Sequence, residues 1–186
     1  IFTYNINGGT NQTVTSVGNT ATITVPTTTS GVYSINLISV QDSSTSACSQ
    51  LQSGTAVVTV NPLPTATISG TTALCLNATA PTITFTGANA TAPYTFTYNI
   101  NGGTNQTVTS VGNTATITVP STTAGTFNVN LVSVQDSSST ACSQLQSGTA
   151  VVTVNPLPTA TVAGTTAVCV NDTAPTITFT GANATA

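Results

Sequence analysis

Apolar and polar residues alternate with a period of two along most of this chain, and no stretch holds a helical period. In Thr82–Gly87 the alternation turns Ile83 and Phe85 to one face and Thr82, Thr84 and Thr86 to the other. Tyr94–Ile100 places Tyr94, Phe96, Tyr98 and Ile100 together, and Thr114–Val119 does the same for Ala115, Ile117 and Val119. Thr126–Val134 reads as the central strand, with Phe127, Val129 and Leu131 inward and a slip at Val132 that predicts a bulge. Thr65–Gly70, Thr71–Leu76, Thr104–Val111 and Thr149–Asn155 complete the expected strands, and Gln135–Gly148 reads as a long polar connection. Asn101-Gly102-Gly103 is a hairpin signal, because these residues accept positive φ. Seven or so short strands with turn signals every 8–12 residues predict an all-β fold, a β-sandwich of immunoglobulin-like type. It has no core Trp.

The pattern also repeats. Thr-Ala-Val-Val-Thr-Val-Asn-Pro-Leu-Pro occupies Thr55–Pro64 and returns as Thr149–Pro158, 94 residues on. The first six residues suit a strand, with Ala56, Val58 and Val60 on one face. The prolines cannot continue it, because they lack the ladder N–H and fix φ. The motif therefore reads as a sheet ending in a short, stiff junction. Residues 1–92 and 95–186 are identical at 77 of 92 positions, and exchanges such as Tyr33/Phe127 and Leu74/Val168 conserve apolar volume. A period this long suits one small domain rather than a solenoid turn. The expected organisation is residues 1–64 as the back part of one repeat, 65–158 as a complete repeat, and 159–186 as the front part of the next. Head and tail together would lack only the Pro93-Tyr94 pair of a full repeat. They invite strand donation between copies, and equally fit a cut through a continuous array.

Composition narrows the function. The chain has no Lys, Arg or His, and its only acids are Asp42, Asp136 and Asp172. Phosphate and anionic-lipid binding need cations, so nucleic acid is excluded as a partner and electrostatic membrane attachment with it. The longest apolar runs are far too short for a membrane span. About a quarter of the residues are Thr, a mix high in β-propensity and low in charge, unlike disorder. A surface of hydroxyls and amides suits a passive extracellular exterior. It offers nothing to a trypsin-like protease, and without Lys no isopeptide staple can form.

Four cysteines, Cys48, Cys75, Cys142 and Cys169, allow three full pairings. Parallel pairing of the first and last strands of a repeat would bring Cys75 to Cys142, and that bond is expected. It would contribute about 4 kcal/mol on a chain-entropy model. Cys48 and Cys169 would then pair beyond these residues or in a neighbouring copy. The alternative is four free, buried thiols. No metal site is expected, since His and closely spaced Cys are absent.

General acid–base chemistry finds no His, Lys or paired carboxylate here, so no catalytic residue, cofactor or enzyme activity is expected. Asp42 and Asp136 occupy the same Gln-Asp-Ser-Ser turn and read as Asx-turn residues; a single-carboxylate Ca²⁺ ligand is the weaker alternative. Asn-x-Ser/Thr triplets begin at Asn11, Asn77, Asn89, Asn105, Asn171 and Asn183, a number expected by chance in so Asn- and Thr-rich a chain.

Gly-Thr-Thr-Ala-Leu-Cys, Pro-Tyr-Thr-Phe-Thr-Tyr-Asn-Ile-Asn-Gly-Gly and Val-Thr-Val-Asn-Pro-Leu-Pro occur in this order within the repeat. Together they resemble the PKD-like, immunoglobulin-like tandem repeats of giant Bacteroidetes surface proteins, including gliding-motility adhesins of the SprB type. The resemblance covers both copies. It implies type IX secretion, a place on the outer cell surface and a stalk or filament role. It also implies one Cys near the front strand and one before the last, as at Cys75 and Cys142. Asp172-Thr173-Ala174 resembles the O-glycosylation site of that phylum, which would make Thr173 an acceptor. Neighbouring copies of the repeat are the expected partners; a glycan- or protein-binding module is the alternative.

Overall fold

A computed structural model describes residues 1–183. The last three residues of the 159–186 segment lie outside the described residues, as does the end of the Asn183 triplet. The described secondary structure is entirely β. The chain divides into two compact units, Ile1–Leu63 with Ser138–Cys142, and Pro64–Ser137 with the residues from Ser143 onward. The boundary between Leu63 and Pro64 falls inside the proline junction.

In the first unit, β1 (Phe2–Ile6), β2 (Gln12–Val14), β3 (Gly31–Gln41), β4 (Ser49–Leu51) and β5 (Thr55–Val60) form one antiparallel sheet. β1 pairs with β2 on one side and β3 on the other, and the other edge of β3 takes β5 and then β4.

In the second unit, nine strands span the complete repeat. They are β6 (Thr65–Ser69), β7 (Thr72–Cys75), β8 (Thr82–Ala88), β9 (Thr95–Ile100), β10 (Gln106–Thr109), β11 (Thr114–Thr118), β12 (Gly125–Gln135), β13 (Ser143–Leu145) and β14 (Thr149–Asn155). One sheet runs β11-β8-β6; the other runs β10-β9-β12-β14-β7, with β13 also on β12. The alternating apolar positions meet between them. Ala66, Ile83, Phe85 and Ala115 come from the first sheet; Phe96, Tyr98, Val129, Leu131, Val134, Ala150, Val152 and Val154 from the second. Phe85 bridges the layers, its ring centroid 5.5 Å from that of Phe96 and 5.3 Å from that of Tyr98. Burying each aromatic removes about 150–250 Å² from water, so these rings dominate the core. Gly87 is a packing requirement, since a Cβ there would lie 2.5 Å from the Tyr94 ring.

The expected bulge is present. The β12–β9 register skips Val132 between Leu131 and Ser133, and the β3–β1 register skips Ile38 at the same place. Asn101 and Gly102 adopt positive φ at the β9–β10 hairpin, as their types allow. One strand departs from expectation: β13 lies inside the stretch read as a loop. β14 covers β12 only from Gly125 to Asn130, which leaves Ser133–Gln135 with an open edge that Ser143–Leu145 fills. Three exposed residues with no alternation give no pattern to read.

Beyond the complete repeat, β15 (Thr159–Ala163) and β16 (Thr178–Ala182) form an antiparallel pair. Its register, Thr159 opposite Ala182 through Ala163 opposite Thr178, reproduces that of β6 and β8, Thr65 opposite Ala88 through Ser69 opposite Thr84.

Candidate interaction surface

The same residues meet different fates in the three segments. In the complete repeat, Thr114-Ala-Thr-Ile-Thr118 is β11 because β8 gives it a ladder partner, from Thr114 opposite Thr86 to Thr118 opposite Thr82. In the first unit the identical pentapeptide, residues 20–24, has no strand structure beyond a single bridge from Val17 to Thr20. Local propensity is the same in both, so the difference is the partner.

The inner face of the first unit is half-buried. Phe2, Tyr4, Val14, Ile35, Leu37 and Ala56 line a cavity of about 510 Å³, floored by the sheet and flanked by Ala21 and Ile23. Their counterparts 94 residues on are Phe96, Tyr98, Val108, Val129, Leu131 and Ala150, all in or against the core. Val58 is 37% exposed where Val152 is fully buried.

The β15–β16 pair is more exposed than its counterpart. Phe179 is 77% exposed and Ile177 53%, while their counterparts Phe85 and Ile83 are 0% exposed.

The cysteines do not pair as expected. β7 and β14 are indeed parallel, which puts Cys75 beside Asn155 and so near Gly125, at the start of β12. Cys142 instead precedes Ser143, which lies opposite Gln135 at the far end of β12. Ten residues of strand at about 3.3 Å each separate those ends by roughly 33 Å, against the 7 Å or so a disulfide tolerates. The parallel pairing itself argues against that bond, because it sends the loop before β14 to the Thr72 end of β7 and leaves Cys75 beside the end where β14 exits. All four cysteines are free thiols. Nor are they buried, since Cys48, Cys75 and Cys169 are exposed and Cys142 is intermediate.

The remaining polar candidates fall into turns. Asp42 accepts the Ser44 hydroxyl at 2.7 Å and the Ser44 amide at 3.2 Å, an Asx-turn. The Ser44 hydroxyl, aided by the backbone N–H donors, holds the exposed Asp42 carboxyl below the usual carboxylate range. Asp136, at the same place in the complete repeat, is buried. Asp172 accepts the Cys169 amide at 2.8 Å, and the adjacent Thr173 is exposed. Asn77, Asn89, Asn171 and Asn183 all adopt positive φ, a conformation that favours Asn or Gly at these triplets. Asn105 accepts from Asn99, and Asn11 is exposed beside β2.

No protein-family model and no curated protein sequence matches the chain.

Proposed function

We propose that this chain belongs to a structural, extracellular array: immunoglobulin-like sandwiches in tandem that form a rod or filament on a bacterial surface and carry an adhesive element at a distance from the cell. The observation that carries this reading is that the 94-residue repeat reproduces its strand registers, bulge included, in successive copies. Repetition at this fidelity extends length without building a singular site. The prolines of Asn61-Pro62-Leu63-Pro64 stiffen the junction. A surface without cations suits a spacer that has to avoid adventitious binding. The resemblance to gliding-motility and other surface adhesins of Bacteroidetes favours the same role.

The test is the contour length of arrays carrying increasing numbers of repeats, traced by electron microscopy. The length should rise linearly, by about 35–45 Å per repeat, since an 11-residue strand alone spans about 36 Å. Particles whose longest dimension stays constant as repeats are added would sink the proposal.

A further inference from the structure

We infer that consecutive repeats are joined by a disulfide across the proline junction, between Cys75 of one repeat and Cys142 of the repeat that follows it. The inference rests on the tandem array proposed above and adds a covalent bond at each of its joints.

The two thiols stand at opposite ends of the repeat. Cys75 closes β7 opposite Asn155, the last residue of β14, so it lies where the chain leaves. The adjacent pair, Leu74 and Val154, turns into the core, which puts Cys75 and Asn155 together on the outward side. Cys142 lies in the loop between Gln135 and Ser143, where the chain enters. The start of β6 marks that end: Thr65 accepts from Asn89, and two residues further along the same loop Thr91 accepts from the Ser137 amide. An array therefore brings Cys75 of one repeat and Cys142 of the next to the same joint. It holds the two cysteines of any one repeat roughly 33 Å apart.

One asparagine links the two positions. The segment Ser138–Cys142 belongs to the first unit. There Asn61 Nδ2 donates to Thr140 Oγ1 at 2.8 Å, and Thr140 Oγ1 lies 3.2 Å from Cys142 Sγ. Asn61 is the counterpart of Asn155, 94 residues earlier. Asn155 in turn has Cys75 as its ladder partner, at the roughly 4.8 Å that separates adjacent strands. The same residue of the repeat thus has one thiol a strand spacing away and the other a single hydroxyl away. A disulfide asks for Cα atoms within about 7 Å. Cys75 is exposed and Cys142 partly so, which leaves both open to reaction. The same translation gives Cys48 the part of Cys142, and Cys169 that of Cys75.

The bond forms by exchange with a small-molecule disulfide. One cysteine thiolate attacks it and releases a small thiol, and the second thiolate then displaces the other from the mixed disulfide. The two cysteines lose two protons and two electrons as the S–S bond forms, and the small disulfide is reduced to two thiols.

The complete repeat closes its own core, so the experiment uses two copies of residues 65–158 in tandem. Cys142→Ser in the first copy and Cys75→Ser in the second leave the pair that meets at the joint. The reciprocal array, with Cys75→Ser in the first copy and Cys142→Ser in the second, leaves the pair at the far ends. Both are equilibrated with oxidised and reduced glutathione at low protein concentration. Intact mass under non-reducing conditions separates an internal bond from glutathione adducts and free thiols. The first array should form the internal bond in about tenfold or greater excess over the reciprocal one, because only there is the partner thiol held close. A single repeat carrying both cysteines should form none. No internal bond in the first array, or an equal yield in the reciprocal array, overturns the inference. Electron microscopy of the same arrays reads the tandem arrangement separately. Two beads in a row without an internal bond remove the disulfide and leave the array standing; one fused particle removes both.

Discussion

Phe85 and Phe179 are the same residue of the repeat in two environments, one fully buried and the other mostly exposed. Truncating Phe85 removes the ring that joins the sheets and leaves a cavity, so Phe85→Ala should cost about 3–5 kcal/mol. Phe179→Ala should leave the stability of the complete repeat unchanged. Urea unfolding followed by circular dichroism at low concentration measures both. Asp42 supports a smaller prediction. Its folded pKa is lowered chiefly by the Ser44 hydroxyl. Any stabilisation it gives is therefore present above the ordinary carboxylate pKa and lost as pH falls through the depressed folded value. Ser44→Ala should move the Asp42 titration, read by carboxyl NMR shifts, up towards the ordinary range. An unchanged titration would remove the hydroxyl as the cause.

At the scale of elements, period-two alternation was sufficient for the strands that build the core. Ile83, Phe85, Phe96, Val129 and Val152 all sit where the pattern put them. Even the bulge at Val132 was legible, since one misplaced apolar residue breaks the phase of a strand buried on one face. What escaped had no phase to read. β13 is three exposed residues recruited by an open edge; the cysteine placement is a different miss, since the parallel pairing expected there already carries the Cys142 loop to the end of β14 away from Cys75. Residues 20–24 have the sequence of a strand and lack its structure, so a strand's existence here is a property of pairs. In dilute solution the amides of 114–118 should exchange slowly and those of 20–24 fast; equal protection would contradict this.

For the whole molecule, the parallel pairing of β7 with β14 has a mechanical consequence. The chain enters the complete repeat at β6 and leaves it at the end of β14. Once β6 has yielded to tension between the ends, the load pulls β7 by its first residue and β14 by its last. Two parallel strands drawn this way slide along their common axis instead of peeling apart. The pairs from Thr72–Val152 to Cys75–Asn155 then resist together, along with the Leu76 amide bonded to Asn155 at 2.8 Å. Leu74→Pro, which removes an N–H on the same side of β7 as the Leu76 donor, should lower the rupture force of the repeat in single-molecule stretching. A repeat anchored in this way would act as a fuse that holds until its whole seam shears at once, a fitting property for a tether under drag.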